Sequence, residues 1–214
     1  MVRGIARSLF SAAASQRGPM TQTKVSPAPS FQELVRPHLN TWGPFRLTRD
    51  EVTETAIRRF CEVAEDGNPV YWDTEFAEKT RFGRVIAPPQ SLFSMTFAAW
   101  WTPDFLQRRL AEDVTALNVS GPTADPFGVH AICERFGYTI NTVAGQEVEY
   151  LASFGPGDGR LKMRSMTTNV SEEKTVRVGK GVFITSVTEY FTEVGDRLIG
   201  RSTMVLLRYK AEKE

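Results

Sequence analysis

One short polar segment carries the residues of this sequence best suited to chemistry. Asp66, Asn68 and Tyr71 lie in residues 66–72 (DGNPVYW). A carboxylate accepts or delivers a proton, whereas a phenol with an ordinary pKa of about 10 donates a hydrogen bond but is a poor base at pH 7. Asp66 and Tyr71 are therefore candidate catalytic residues. The same residue types also form turns for local reasons, so a purely structural role for Asp66 and Asn68 stays open.

A second segment, residues 82–89 (FGRVIAPP), precedes the most apolar stretch of the chain, residues 90–101 (QSLFSMTFAAWW). A proline pair suits a helix start, and an apolar pattern on all sides predicts a helix that is buried on all sides. Proline has no N–H, so this helix start lacks a main-chain donor at Pro89.

Other chemistries find little support in the sequence. The two histidines, His38 and His130, and the two cysteines, Cys61 and Cys133, match no metal-ligand spacing, so we expect no metal site. The cysteines are predicted to be buried thiols in a reducing compartment. No glycine-rich phosphate loop follows a strand, and the serines of residues 90–101 have no base nearby in sequence.

The elements that would position these residues follow from periodicity. Apolar residues at three-to-four spacing predict an amphipathic helix over residues 48–65, which ends at the turn 66–69, and a short helical turn over 73–79. Long runs rich in Val, Ile, Thr, Tyr and Phe predict antiparallel strands. These strands are residues 146–154, 160–172, 181–194 and 197–210, with a tight hairpin joining the last two.

Composition narrows the class of protein. The chain has 214 residues and a formal net charge of +1, which argues against nucleic acid as a partner, and its apolar stretch is about half a membrane span. Residues 1–30 are basic and rich in Ser and Ala, which indicates either a transit peptide or a disordered or wrongly assigned start. We therefore expect one domain over residues 31–214, located in the cytoplasm, or in the mitochondrial matrix if residues 1–19 are a transit peptide.

Several segments together resemble a known family. They are residues 64–73 (AEDGNPVYWD), 82–83, 85–89, 145–150 (GQEVEY) and the 157–158 turn, followed by the two last strands. This combination, which covers roughly residues 40 to 210, resembles the MaoC-like hot-dog dehydratases. The likeness is stronger to the N-terminal half, without a catalytic histidine, of double-hot-dog (3R)-hydroxyacyl dehydratases and (R)-enoyl-CoA hydratases.

The resemblance implies an α+β hot-dog fold, in which a long curved antiparallel sheet wraps around a buried apolar helix and pairs with a second hot dog. It also implies a hydro-lyase that hydrates enoyl thioesters or dehydrates 3-hydroxyacyl thioesters. The substrate would then be an acyl group carried either on coenzyme A or on an acyl carrier. Coenzyme A would be present only as part of the substrate, and no further cofactor is expected.

Two departures from the family pattern affect the mechanism. Active members have an Asp and, five residues later, a His, but Tyr71 occupies the His position here. The family's His-Gly at the start of the buried helix, which offers an N–H to the thioester oxygen, is replaced by Pro88-Pro89. The resemblance therefore implies a subunit that binds acyl-CoA and completes the site of a partner chain bearing Asp-x-Asn-Pro-x-His, although a homodimer is equally open.

The same likeness suggests which residues touch the substrate. The arginines would meet coenzyme A phosphates and the phenylalanines would line an acyl tunnel, but solvated arginines and core aromatics are the ordinary alternatives. The candidate substrate-binding residues are Asn68, Pro69, Trp72, Arg81, Phe82, Gly83, Arg84, Pro88, Pro89, Phe93 and Phe97.

Three other functions stay open at this point. They are a self-sufficient homodimeric hydratase that uses Asp66 and Tyr71, a thioester-binding scaffold without turnover, and a hot-dog thioesterase, because one fold hosts several chemistries.

Overall fold

The computed structural model describes residues 28–97, 103–105, 108 and 128–210. The interpretation of residues 1–30 as a targeting or mis-start segment falls almost entirely outside the described part of the chain. No helix among the described residues is long and apolar enough to cross a membrane.

A six-stranded antiparallel sheet forms the body of the described protein. Five strands lie in the order β1-β3-β5-β6-β2, and β4 pairs with β5. Their bounds are β1 Arg46–Glu51, β2 Ile140–Tyr150, β3 Arg160–Val170, β4 Lys174–Val176, β5 Gly179–Thr192 and β6 Leu198–Tyr209. Glycine and charged breaks separate these runs in the sequence, which is why three of the four long strands are predicted within about two residues of where they lie. The strand predicted over 146–154 was placed too late, because β2 spans Ile140–Tyr150.

The beginning of the predicted 48–65 helix is wrong. Residues 46–51 form β1 on the edge of the sheet, and the helix starts only after Thr53, whose hydroxyl accepts a hydrogen bond from the Ala56 N–H. Acidic residues such as Asp50 and Glu51 are typical of a helix first turn, but here they belong to an edge strand, where charge is also favoured.

In the described part of the chain, five short helices with defined bounds lie on one face of the sheet. They are α1 Phe31–Val35, α2 Glu54–Ala64, α3 Thr74–Glu78, α4 Ser91–Thr96 and α5 Val129–Arg135. Local sequence explains most of their starts: Ser30 and Glu33 form a capping box before α1, and the Asp73 carboxylate caps α3. The short helical turn predicted over 73–79 is thus confirmed.

The buried side chains of the described residues form two separate clusters on the same face of the sheet. Val182, Ile184 and Tyr190 alternate along β5 and therefore point to one side. The first core cluster lies under α2 and α4 and comprises Val52, Ile57, Cys61, Val70, Ala77, Val85, Ile86, Ala87, Leu92, Phe154, Leu161, Tyr190 and Ile199. The second core cluster lies under α1 and α5 and comprises Phe31, Val35, Val129, Ile132, Cys133, Tyr138, Val170, Val182 and Ile184.

The helix predicted over residues 90–101 differs from the structure in its described part, whereas residues 98–101 of this prediction lie outside the described residues. α4 ends at Thr96, where Phe97 takes an extended conformation, and the Ser94 side chain is exposed. The Ser94 hydroxyl donates to the Ser91 carbonyl at 2.9 Å, so this helix carries self-satisfied hydroxyls rather than an apolar surface on every side. Leu92 is the fully buried contact of α4 with the sheet.

Candidate functional site

The turn that follows α2 is built by its own side chains. Glu65 caps the helix in the left-handed conformation (φ 54°), which turns the chain sharply before Asp66. The Asp66 carboxylate accepts from the Asn68 N–H at 3.1 Å, and the Asn68 side-chain oxygen accepts from the Val70 N–H at 3.2 Å. The turn-forming role left open for Asp66 and Asn68 is therefore present in the structure, and it leaves the second carboxylate oxygen of Asp66 without a bond to a described residue.

Tyr71 follows this turn and packs against the first core cluster. Burial raises the pKa of Tyr71, the nearby Asp66 and Cys61 raise it further, and hydrogen bonding with the Asn68 side chain opposes them. A phenol with a pKa above its ordinary value stays protonated at neutral pH, so Tyr71 is a hydrogen-bond donor and not a base. The Trp72 indole N–H donates to the Asp66 carbonyl at 2.7 Å, which fixes the other side of the turn.

The loop 82–89 is fastened to the sheet by a buried carboxylate. The Asp158 carboxylate accepts from Arg84 at 2.6 Å, from Arg197 at 3.1 Å and from the Gly155 N–H at 2.9 Å. Arg84 also donates to the Pro156 carbonyl at 2.9 Å. Arg84 is therefore engaged within the protein, whereas the exposed guanidinium of Arg81 lies over the Phe82 ring at 4.8 Å. Phosphate binding by either arginine stays a prediction.

Close backbone contacts bring this loop against the Tyr71 turn. The Ala87 N–H donates to the Phe154 carbonyl at 2.7 Å, and the Ile86 N–H approaches the Val70 carbonyl at 3.5 Å. A Cβ at Gly155 would lie 2.7 Å from the Val85 carbonyl oxygen, so only glycine permits this approach. The structure thus brings together the two segments that the sequence singles out.

The start of α4 offers one main-chain donor. The Ser91 and Leu92 N–H groups bond to the carbonyls of Pro88 and Pro89 at 2.9 and 3.1 Å. Pro88 and Pro89 have no N–H. The Gln90 N–H has no acceptor among the described residues. The first available main-chain N–H is therefore that of Gln90, one residue after Pro89, where the family pattern places its donor.

The aromatic candidates divide into two groups. Phe93 is half-buried and its ring lies 6.1 Å from Tyr190 and 6.5 Å from Phe97, which places it between α4 and the sheet. Phe97 and Trp72 are 67% and 40% exposed, so both are surface aromatics in the described part of the chain.

Pro69 begins the 3-10 turn 69–71 that presents Tyr71. Gly83 has φ 64° in the turn before Arg84.

Both histidines of the chain lie away from this site. His38 ends the 3-10 turn after α1, and His130 is in α5, whose neighbours Val129 and Ile132 belong to the second core cluster. No group of His, Cys, Asp and Glu within the described ranges could hold a metal ion. Cys61 and Cys133 are buried and unbridged, as their sequence context predicts.

Sequence reasoning missed two features near the site. The partnership of Asp158 with Arg84 and Arg197 joins residues 74 and 39 positions apart, which local patterns do not reveal. Arg46 begins a strand whose residues 48–51 were predicted as helix, so the orientation of Arg46 toward the helices had no signal in the sequence.

Comparison with known proteins adds family information. Residues 42–121 match the family model described as "FAS1-like, dehydratase domain region". The chain is 29% identical over 176 residues to a probable enoyl-CoA hydratase alpha subunit of Thermomonospora curvata, covering 81% of this chain and 50% of that protein. This chain therefore spans about half the length of that curated relative.

Two solved structures share the fold. The ChsH1-ChsH2 complex from Mycobacterium tuberculosis contains a chain with a TM-score of 0.69 and 22% identity, covering 86% of this chain and 93% of that chain. A MaoC-like dehydratase from Rhodospirillum rubrum has a TM-score of 0.51 and 17% identity, covering 80% of this chain and 94% of that chain. At this level of identity the likeness concerns the fold alone, and the predicted fold class is confirmed.

Proposed function

We propose that this chain is a member of the MaoC-like hot-dog family of hydratases and dehydratases, and that it is a subunit of an (R)-specific enoyl-thioester hydratase or 3-hydroxyacyl-thioester dehydratase. In this role it binds acyl-CoA and completes an active site whose proton-transfer histidine comes from a partner chain. It needs no cofactor beyond the coenzyme A of its substrate.

The presence of a partly buried phenol, Tyr71, where active members of the family have an imidazole carries this proposal. Adding water to an enoyl thioester requires a base that takes a proton from water, and removing water requires an acid that returns it. Tyr71 occupies the position next to Asp66 and Asn68, and its raised pKa leaves it unable to act as that base near neutral pH. His38 and His130 lie beside the second core cluster, so a base of suitable pKa has to be supplied by another chain.

The remaining groups of this site suit binding and hydrogen-bond donation. The Tyr71 hydroxyl and the Gln90 N–H both donate, which is what the thioester oxygen requires as negative charge develops on it. Asp66 has one carboxylate oxygen held by the Asn68 N–H and a second that is not bonded to a described residue. Asp66 can therefore orient a water or a substrate hydroxyl while the partner moves the proton.

The edge of the sheet supports a role for a partner. β2 has 11 residues, and its described pairing is with β6 on one side only. An exposed edge of this length presents a row of main-chain donors and acceptors that a second strand can pair with. Val143, Tyr150 and Leu151 are exposed on or beside this strand, which adds apolar area to such a contact.

Enzyme assays with and without a partner test the proposal. We expect negligible hydration of crotonyl-CoA by this chain alone, and strong activity after addition of a MaoC-like chain with Asp-x-Asn-Pro-x-His. Asp66→Asn should reduce the activity of the mixture, whereas Asp50→Asn, at an exposed strand position, should leave it unchanged. High activity of the isolated chain that disappears in Asp66→Asn would overturn the subunit proposal.

A self-sufficient homodimer is the second candidate. The Gln90 N–H, which bonds to no described residue, favours it because it supplies one donor that the sequence pattern lacks. This candidate expects turnover by the isolated chain, a pH profile governed by one carboxylate, and a strong loss in Tyr71→Phe. Native mass of the chain alone, measured beside the activity, separates the two candidates.

A further inference from the structure

Arg46 lies on the helix-covered face of the sheet. It pairs directly with Met163 of β3, Met163 pairs with Tyr190 of β5, and the Tyr190 ring contacts Phe93 of α4. Directly paired residues of antiparallel strands point to the same side of a sheet. The Arg46 side chain therefore points to the side on which the first core cluster lies.

No described residue neutralises this arginine. Arg46 makes no ion pair or side-chain hydrogen bond with the described part of the chain, and it is only partly exposed. Burial lowers the pKa of Arg46, with no opposing effect from a carboxylate. A partly buried cation without a partner reduces stability, in contrast to Arg84, Arg164 and Arg201, which all contact carboxylates.

A band of hydroxyl groups continues from Arg46 across the middle of the same face. We name it the hydroxyl band: Ser165, Thr167, Ser186, Thr188 and Ser202, which occupy two adjacent rows of the sheet. It lies between the apolar side chains of the first core cluster and those of the second, Val170 and Ile184. A sheet face covered by helices is ordinarily apolar, so a band of this composition is unexpected there.

The band retains hydrogen-bonding capacity. Ser165 and Thr188 share one bond at 2.9 Å, and Ser202 shares one with the Tyr190 hydroxyl at 3.2 Å. The hydroxyls of Thr167 and Ser186 have no side-chain hydrogen bond to a described residue. Each hydroxyl has one donor and two acceptor positions, so this face can bind further polar atoms.

We propose that Arg46, together with the Ser165–Thr188 hydroxyl pair, binds an oxyanion of the thioester ligand. Ser165 is the diagonal neighbour of Arg46 across β1 and β3, at a separation of about 7–8 Å that a long side chain spans. Guanidinium and hydroxyl donors match carboxylate and phosphate oxygens. The oxyanion is either a carboxylate on the acyl group or a phosphate of the carrier, and the inference rests on the proposed function.

Calorimetry on the full chain tests the site with three probes: glutaryl-CoA, butyryl-CoA and free coenzyme A. The variant is Arg46→Gln, and the control is Arg49→Gln, an exposed arginine of the same strand. If the acyl carboxylate is the ligand, Arg46→Gln weakens glutaryl-CoA binding about tenfold or more and leaves butyryl-CoA unchanged. If a carrier phosphate is the ligand, all three probes weaken alike.

The inference is overturned if Arg46→Gln binds all three probes as tightly as the wild type does, or no more weakly than Arg49→Gln. If the wild type binds no coenzyme A derivative, the proposed function fails, and titration with sodium glutarate and inorganic phosphate then decides the inference alone. Arg46-dependent binding of either anion supports the site, and equal behaviour of wild type and variant refutes it. If Arg46→Gln does not fold, Arg46→Lys replaces it, with a several-fold weakening expected because a point charge lacks the guanidinium geometry.

Discussion

The buried Asp158 carboxylate offers the sharpest test of how the site is held together. It joins three segments: Arg84 in the loop before α4, Gly155 in its own turn, and Arg197 at the start of the last hairpin strand. We expect Asp158→Asn to loosen the loop 82–89, because the amide keeps the size of the side chain but loses its charge. Its NH2 group would also face guanidinium donors.

The expected cost follows from the exposure of each partner. Removing one partner of a fully buried ion pair costs about 3–5 kcal/mol. The Asp158 side chain is 10% exposed, but Arg84 and Arg197 are 35% and 40% exposed, so water solvates both arginines in part after the substitution. We therefore expect a loss of about 2 kcal/mol in the free energy of unfolding, below the fully buried range.

Urea denaturation and amide hydrogen exchange measure the two consequences. The urea concentration at the midpoint of unfolding should fall for Asp158→Asn. The Ala87 N–H, which is bonded to the Phe154 carbonyl at 2.7 Å, should exchange with solvent faster than in the wild type. The matched control is Asp196→Asn, whose carboxylate pairs with Lys162 but is 67% exposed, so a change under about 0.5 kcal/mol is expected. The reasoning is refuted if Asp158→Asn is no more destabilising than this control.

Three further predictions concern the same framework. Gly155→Ala should destabilise the protein by about 1–3 kcal/mol in urea denaturation, because the new Cβ would lie 2.7 Å from the Val85 carbonyl oxygen; wild-type stability of this variant would contradict the close approach. Glu65→Gly should raise the free energy of unfolding by about 0.5–1 kcal/mol, since Glu65 occupies the left-handed conformation that glycine adopts without cost, and a less stable variant would disprove this reasoning. Hydrogen bonds from the Arg160 side chain and backbone lower the pKa of Glu193 to about 2, so its contribution to stability is present above its ordinary pKa and is lost as pH falls from about 5 toward 2. The stability difference between wild type and Glu193→Gln should therefore shrink over that range, and a difference that is constant with pH would argue against the pair.

Much of the fold follows from local sequence patterns. The four long strands are predictable because alternating β-branched and aromatic residues fill them and glycine-rich breaks separate them. The turn at Asp66 and the α3 cap at Asp73 are predictable because short polar side chains bond to the backbone two or three residues away. β1 was missed because residues 46–51 (RLTRDE) end in two acidic side chains, Asp50 and Glu51, which are equally typical of the first turn of a helix.

The burial of α4 could not be predicted from its composition. Residues 90–97 contain enough apolar side chains to suggest a helix surrounded by protein, yet Ser94 is exposed and Phe97 leaves the helix. What covers a helix depends on the sheet beneath it, and the first core cluster contacts α4 mainly through Leu92. Hydropathy describes the helix, whereas its burial depends on pairings between strands far away in sequence.

Arg84 and Arg46 show that the residues of the site are equally hard to predict from sequence alone. Arg84 stands next to the family motif and was therefore predicted to bind substrate phosphates, but it contacts Asp158, 74 residues later in the chain. Arg46 stands next to no motif, and only the pairing of β1 with Met163 directs it toward the helices, where no described carboxylate meets it. A charge that the fold has already paired is less available to a ligand than one that no described residue meets, although phosphate binding by Arg84 stays a prediction. Sequence proximity to a motif therefore identifies Arg84, and the register of the sheet identifies Arg46 as the better candidate for an anionic ligand.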